Sequence, residues 1–116
     1  MRDLARNEIL RRAHGLIVEH GWGQDDYGDR GTGLCAAAAL VLARDEVRLR
    51  CRYEHDSESI DSGYRESLAY LQAHAASEGF RDAVSGVGSV VDRNDAPGRT
   101  QGEVLDLFSQ AFVPGS

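Results

Sequence analysis

The chain has no lysine; all thirteen of its basic residues are arginine. That excludes Schiff-base catalysis and a phosphate-loop lysine. Cysteine is scarce, with only Cys35 and Cys51. Neither stands at a zinc-finger spacing to a histidine, which excludes a structural zinc site, and the expectation is two free thiols. Apolar runs are short, none near the roughly 20 residues that span a bilayer, and mean hydropathy is −0.42. The opening Met1-Arg2-Asp3-Leu4-Ala5-Arg6 lacks the basic-then-apolar order of a signal peptide. A membrane protein is therefore not expected, and cytoplasmic location is the default. Positive charge is also in deficit. A net charge of −6 lacks the basic footprint of a sequence-independent nucleic-acid binder.

What remains is enough for one small core. A chain of 116 residues reads as a single domain, 1–116, able to bury about 65% of its unfolded surface. Residues 3–20 predict a helix: Ile9, Ala13, Leu16, Ile17 and His20 share a stripe and Gly21 follows it, as a left-handed terminator should. Gly15, inside that pattern, suggests a close helix crossing. Trp22 is expected to fold back over the helix end. Residues 23–33 are rich in Gly and Asp and read as loop. Asp25, Asp26 and Asp29 do not have calcium-loop spacing.

The second predicted helix, 34–43, holds four successive alanines and looks central, with Thr32 or Gly33 as its cap. From 46 to 54 the period changes: Val47, Leu49, Cys51 and Tyr53 alternate with charged residues, a strand signal. Its only partner in sight is 87–92. The rival reading runs the second helix on through this stretch. A third helix, capped by Ser57 or Ser59, carries Ile60, Tyr64, Leu68, Leu71 and Ala75 to about Ser77, and Gly79 ends it. The fold expected is mainly α, a compact bundle of about four helices, with a short two-stranded pairing of 47–53 with 87–92 as an option.

The last third is the most strongly specified. Pro97 fixes one backbone position and Gly98 frees the next. Thr100 then sits three residues before Glu103, the capping-box spacing. Val104, Leu105, Leu107, Phe108, Ala111 and Phe112 follow at helical spacing.

Six residues from three such segments could meet: His20, Trp22, Cys35, Asn94, Asp95 and Thr100. The chemical reading makes Cys35 a nucleophile favoured as thiolate by a helix start, His20 its base, and Asn94 or Asp95 the orienting group. The structural reading gives each a local duty: a small buried thiol, a helix-end imidazole, two turn formers and a cap. A lone Cys with a lone His and no local signature leaves the structural reading ahead. Trp22, Asn94, Asp95 and Thr100 are then candidate binding residues, with Cys35 and His20 the only catalytic candidates. No metal site and no cofactor are expected.

Glu19-His20-Gly21-Trp22, Gly33-Leu34-Cys35-Ala36 and Asn94-Asp95-Ala96-Pro97-Gly98-Arg99-Thr100-Gln101 together resemble a family of small actinobacterial and phage-borne proteins of unknown function. The resemblance spans nearly the whole chain and implies a compact helical domain, with no reaction attached. Relatives usually carry a tryptophan where Arg93 stands here. The function expected is a small non-enzymatic binding or accessory protein acting through the final helix and its approach loop, on a protein partner or a second copy of itself. The alternatives are a cysteine-dependent hydrolase or transferase and an acidic mimic of nucleic acid.

Overall fold

The computed structural model describes residues 2–24, 28–29, 33–50 and 55–111. Within them lie five helices: α1 (Arg2–His20), α2 (Ala36–Arg50), α3 (Ser57–Ser77), α4 (Val90–Asn94) and α5 (Gln101–Gln110). Two short strands, β1 (Gly28–Asp29) and β2 (Gly33–Leu34), pair antiparallel. Asp25, Asp26, Thr32, Cys51 and the tail from 112 lie outside the described residues. The architecture is the mainly helical, compact bundle expected.

The hub is α1, which packs against α2, α3 and α5; the Ala-rich helix was expected there. The buried positions of α1 explain this, since Ala5, Ile9, Ala13 and Leu16 form one row and Leu10 and Ile17 widen it. Such a stripe is broad enough to meet several neighbours. The alanines of α2 are nonetheless inside: Ala36, Ala38, Ala39 and Ala43 are buried. The close crossing suggested by Gly15 occurs at Gly63 instead. A Cβ there would lie 2.8 Å from the backbone N of Arg6, whereas one at Gly15 would meet only the tip of Arg12. Thus α3 rests directly on the backbone of α1.

Among the described residues, the pairing of 47–53 with 87–92 is absent. Residues 47–50 are the last turn of α2 and residues 90–92 open α4, while 51–53 lie outside the described residues. Helical geometry explains the deceptive alternation. Val47 extends the buried row of Ala36, Leu40 and Ala43, while Leu49, two residues on, points away and is 78% exposed. The rival helical reading holds as far as Arg50.

Helix ends follow local chemistry. Gly21, at φ 90°, ends α1 with its N–H on Ile17 O at 2.8 Å. At the end of α3, Phe80 N bonds Ala75 O and Gly79 N bonds Ala76 O, a Schellman arrangement. Asp56, rather than Ser57 or Ser59, caps α3, accepting from Ser59 N at 2.7 Å. The segment after α3 is held by a turn of its own. Arg81 and Gly88 form an antiparallel bridge, and Asp82 N donates to Val87 O.

Candidate functional site

The left-handed turn at Gly21 sends Trp22 beside β2. Gly23 N donates to Leu34 O at 3.1 Å and Leu34 N to Gly21 O at 2.9 Å. Gly33 must be glycine here: its φ is 96°, and a Cβ would lie 3.1 Å from the backbone C and O of Trp22. The chain then enters α2 through Cys35. Cys35, rather than Thr32 or Gly33, fills the cap position, its Sγ accepting from Ala38 N at 3.3 Å. That leaves the N–H of Ala36, at the first helical position, in need of an acceptor.

Asn94 supplies it from the end of α4. Its Oδ1 accepts from Ala36 N at 3.0 Å and from Trp22 Nε1 at 2.7 Å. Its Nδ2 donates to Gly23 O and to Asp95 Oδ1, both at 3.0 Å. Two donors on one side and two acceptors on the other fix the amide's orientation. The residue is 1% exposed and its side chain is fully satisfied. Gln24 adds Nε2 bonds to Asn94 O and Ala96 O. One buried amide thereby joins the α1 exit, the α2 entry and the α4 exit.

Trp22, Asn94, Asp95 and the Cys35 cap are therefore brought together. His20 and Thr100 are not part of this bond network. His20, at the end of α1, has Glu19 Oε2 3.6 Å from its Nε2, and no hydrogen bond joins it to Cys35 among the described residues. Thr100 caps α5 in a complete capping box: Glu103 N donates to its Oγ1, and Thr100 N donates to Glu103 Oε1. Those bonds hold the Glu103 carboxyl below its usual range.

The thiolate expected of Cys35 meets an opposing force. Burial pushes its thiol pKa up and outweighs the backbone N–H groups that pull it down; the charge of Asp95 pushes the same way as burial. Asn94, with every polar atom committed, has none left to steer an imidazole. Among the described residues no group of three or more His, Cys, Asp or Glu side chains could hold a metal ion. No described helix is long and apolar enough to cross a membrane.

Two features escaped the sequence reading. The first is a clasp centred on Glu78, just past α3. Arg93 Nε meets Glu78 Oε2 at 2.9 Å and Arg99 Nη2 meets Oε1 at 3.1 Å. His74 Nε2 lies 3.0 Å from the same carboxylate. Arg99 also bonds Arg93 O and Glu103. Arg93 is thus a buried ion-pair partner. The second feature is a cleft of about 390 Å³ between α2, α3 and residues 82–91. Ala37, Val41, Tyr64, Leu68 and Val87 supply apolar lining; Asp82 is the only charged residue along it.

No curated protein and no solved structure matches the chain. The model of a family of unknown function, DUF6197, matches residues 1–112, and the chain belongs to that family.

Proposed function

We propose that the protein is a non-enzymatic binding module whose contact surface is the cleft between α2, α3 and residues 82–91. The observation that carries this reading is the apolar rim. Val87 and Val91 are 46% and 39% exposed, and they line a recess that they share with Ala37, Val41 and Leu68, beside Gln72, Ser85 and Ser89. Large apolar side chains held in water beside an apolar recess mark an interaction site. The final helix and its approach loop serve less well as the contact surface. The loop spends Asn94 and Arg99 on internal bonds, and α5 turns Val104, Leu107 and Phe108 inward. The cysteine-enzyme alternative loses support from the raised thiol pKa and the satisfied amide. A free Cys35 fits work in a reducing compartment such as the cytoplasm.

Val87→Glu tests the reading. The side chain is half in water, so the variant should melt within about 2 °C of the parent. Cross-linking in native extract should recover a partner, or a second copy, with the parent and lose it with Val87→Glu. Equal recovery by both proteins would overturn the assignment of the cleft.

A further inference from the structure

The structure carries the cleft further, to the identity of what fills it; this step rests on the binding reading above. We infer that the occupant is the 82–91 segment of a second copy of the chain, in a two-fold symmetric dimer. A two-fold interface uses one patch on both subunits, so the patch must hold a projection and a recess that fit each other. This patch holds both. Two of the five exposed large hydrophobics among the described residues, Val87 and Val91, line its recess beside Ala37, Val41 and Leu68, and a third, Val84, projects from the same 82–91 segment. A small ligand in the recess would leave those valines in water. A second copy covers them.

The charges at the two ends of the cleft are of opposite sign. Helices α2 and α3 run antiparallel along it, since Arg48 pairs with Asp61 and the Arg44 guanidinium lies 4.6 Å over the ring of Tyr64. Tyr64, Leu68 and Gln72 line it on successive turns of α3, a span of about 12 Å at 1.5 Å per residue. Arg44 marks the Tyr64 end. The other end is held by Gly88, packed on the backbone of Gln72, with Asp82 bonded to the neighbouring Val87. The carboxylate of Asp82 is fixed by N–H groups of Val84 and Ser85, both at 2.9 Å. Nearby, Arg81 spends Nη1 on Gly86 O, and Arg44 has Asp45 at 3.2 Å. Turning a second copy by a half-rotation about the middle of the cleft sets each Arg44 against the partner's Asp82. The patch is therefore complementary to itself in charge as well as in shape.

Sedimentation velocity on the full chain, from micromolar to millimolar concentration, tests this. The expected mass rises from one chain to two. Arg44→Glu and Asp82→Arg, each alone, should weaken the dimer more than about tenfold, because like charges then face each other twice. An equimolar mixture of these two variants should recover the parent's affinity. Each mixed dimer pairs the introduced carboxylate with the introduced guanidinium, and an unaltered Arg44 with an unaltered Asp82. Should Asp82→Arg disturb its turn, Val84→Glu, at a position 97% exposed in the same segment, should abolish the dimer while the dilute monomer melts as the parent monomer does. A protein monomeric at every concentration, or a mixture no tighter than its components, overturns the second-copy assignment. If the monomer still loses a captured protein through Val87→Glu, the cleft binds a different partner and the binding reading stands.

Discussion

Cys35 shows how one residue can satisfy a chemical pattern and still serve the fold. Its position at a helix start was readable from the Ala-rich run behind it. Its environment was not, because burial and the approach of Asp95 depend on a segment some sixty residues away. With its thiol pushed up by burial, Cys35 should resist iodoacetamide at mildly alkaline pH in the native protein and react after denaturation, with peptide mapping separating it from Cys51. Rapid native labelling would restore the nucleophile reading. Cys35→Ala removes the Sγ acceptor and should cost about 1 kcal/mol. Cys35→Ser keeps an acceptor and should melt higher than the alanine variant.

Elements follow a similar division between local and distant causes. The capped α5 was legible because Thr100 and Glu103 act within one turn. So were α1 and α3, whose stripes and terminal glycines are local signals. The end of α2 stayed open between strand and helix because the alternation of Val47, Leu49 and Cys51 imitates a strand, and only the buried row from Ala36 to Val47 decides for the helix. The Glu78 clasp was invisible: it joins the end of α3 to Arg93 and Arg99, and sequence spacing does not report such pairs.

This clasp predicts a pH dependence. Burial raises the Glu78 pKa, but hydrogen bonds and charge from Arg93 and Arg99 outweigh it and bring the value below its usual 4.5. A carboxylate depressed by folding adds stability that is fully present above its unfolded pKa. That stability is lost as pH falls through the folded pKa. His74, Arg93 and Arg99 are the charged or titratable groups facing it. Glu78→Gln should cost about 1–2 kcal/mol near neutrality, and urea melts should show that gap shrinking below pH 4.5. A gap independent of pH would remove Glu78 as the source.

Gly88 makes a sharper prediction for the neighbouring turn. A Cβ there would lie 1.7 Å from Gln72 O, so Gly88→Ala must push the 81–88 turn off α3. Amide exchange at Ser89, which bonds Phe80 O, should accelerate along with a fall in melting temperature. Unchanged exchange would mean the contact is not close.

At the scale of the whole molecule, the residues that tie the fold together are separate from those that border the proposed contact surface. The Asn94 cluster joins three chain segments inside the fold, while the cleft beside Val87 and Val91 is left open by the described residues. The sequence revealed that Trp22, Asn94 and Asp95 were special because each sat in a strongly specified segment. It did not distinguish a residue held for binding from one held for architecture. That distinction lies in hydrogen bonds spanning about seventy residues, and in which side of α3 the 82–91 segment lies against.

Thermal denaturation of Asn94→Ala at neutral pH tests this division most directly. Loss of the amide strands the Ala36 N–H, the Trp22 indole N–H and the Gly23 carbonyl, a cost of about 2–4 kcal/mol. The melting temperature should then fall by about 10 °C or more. A variant that melts within about 2 °C of the parent would show that the amide is not structural, and would return Asn94 to the list of residues held for a ligand.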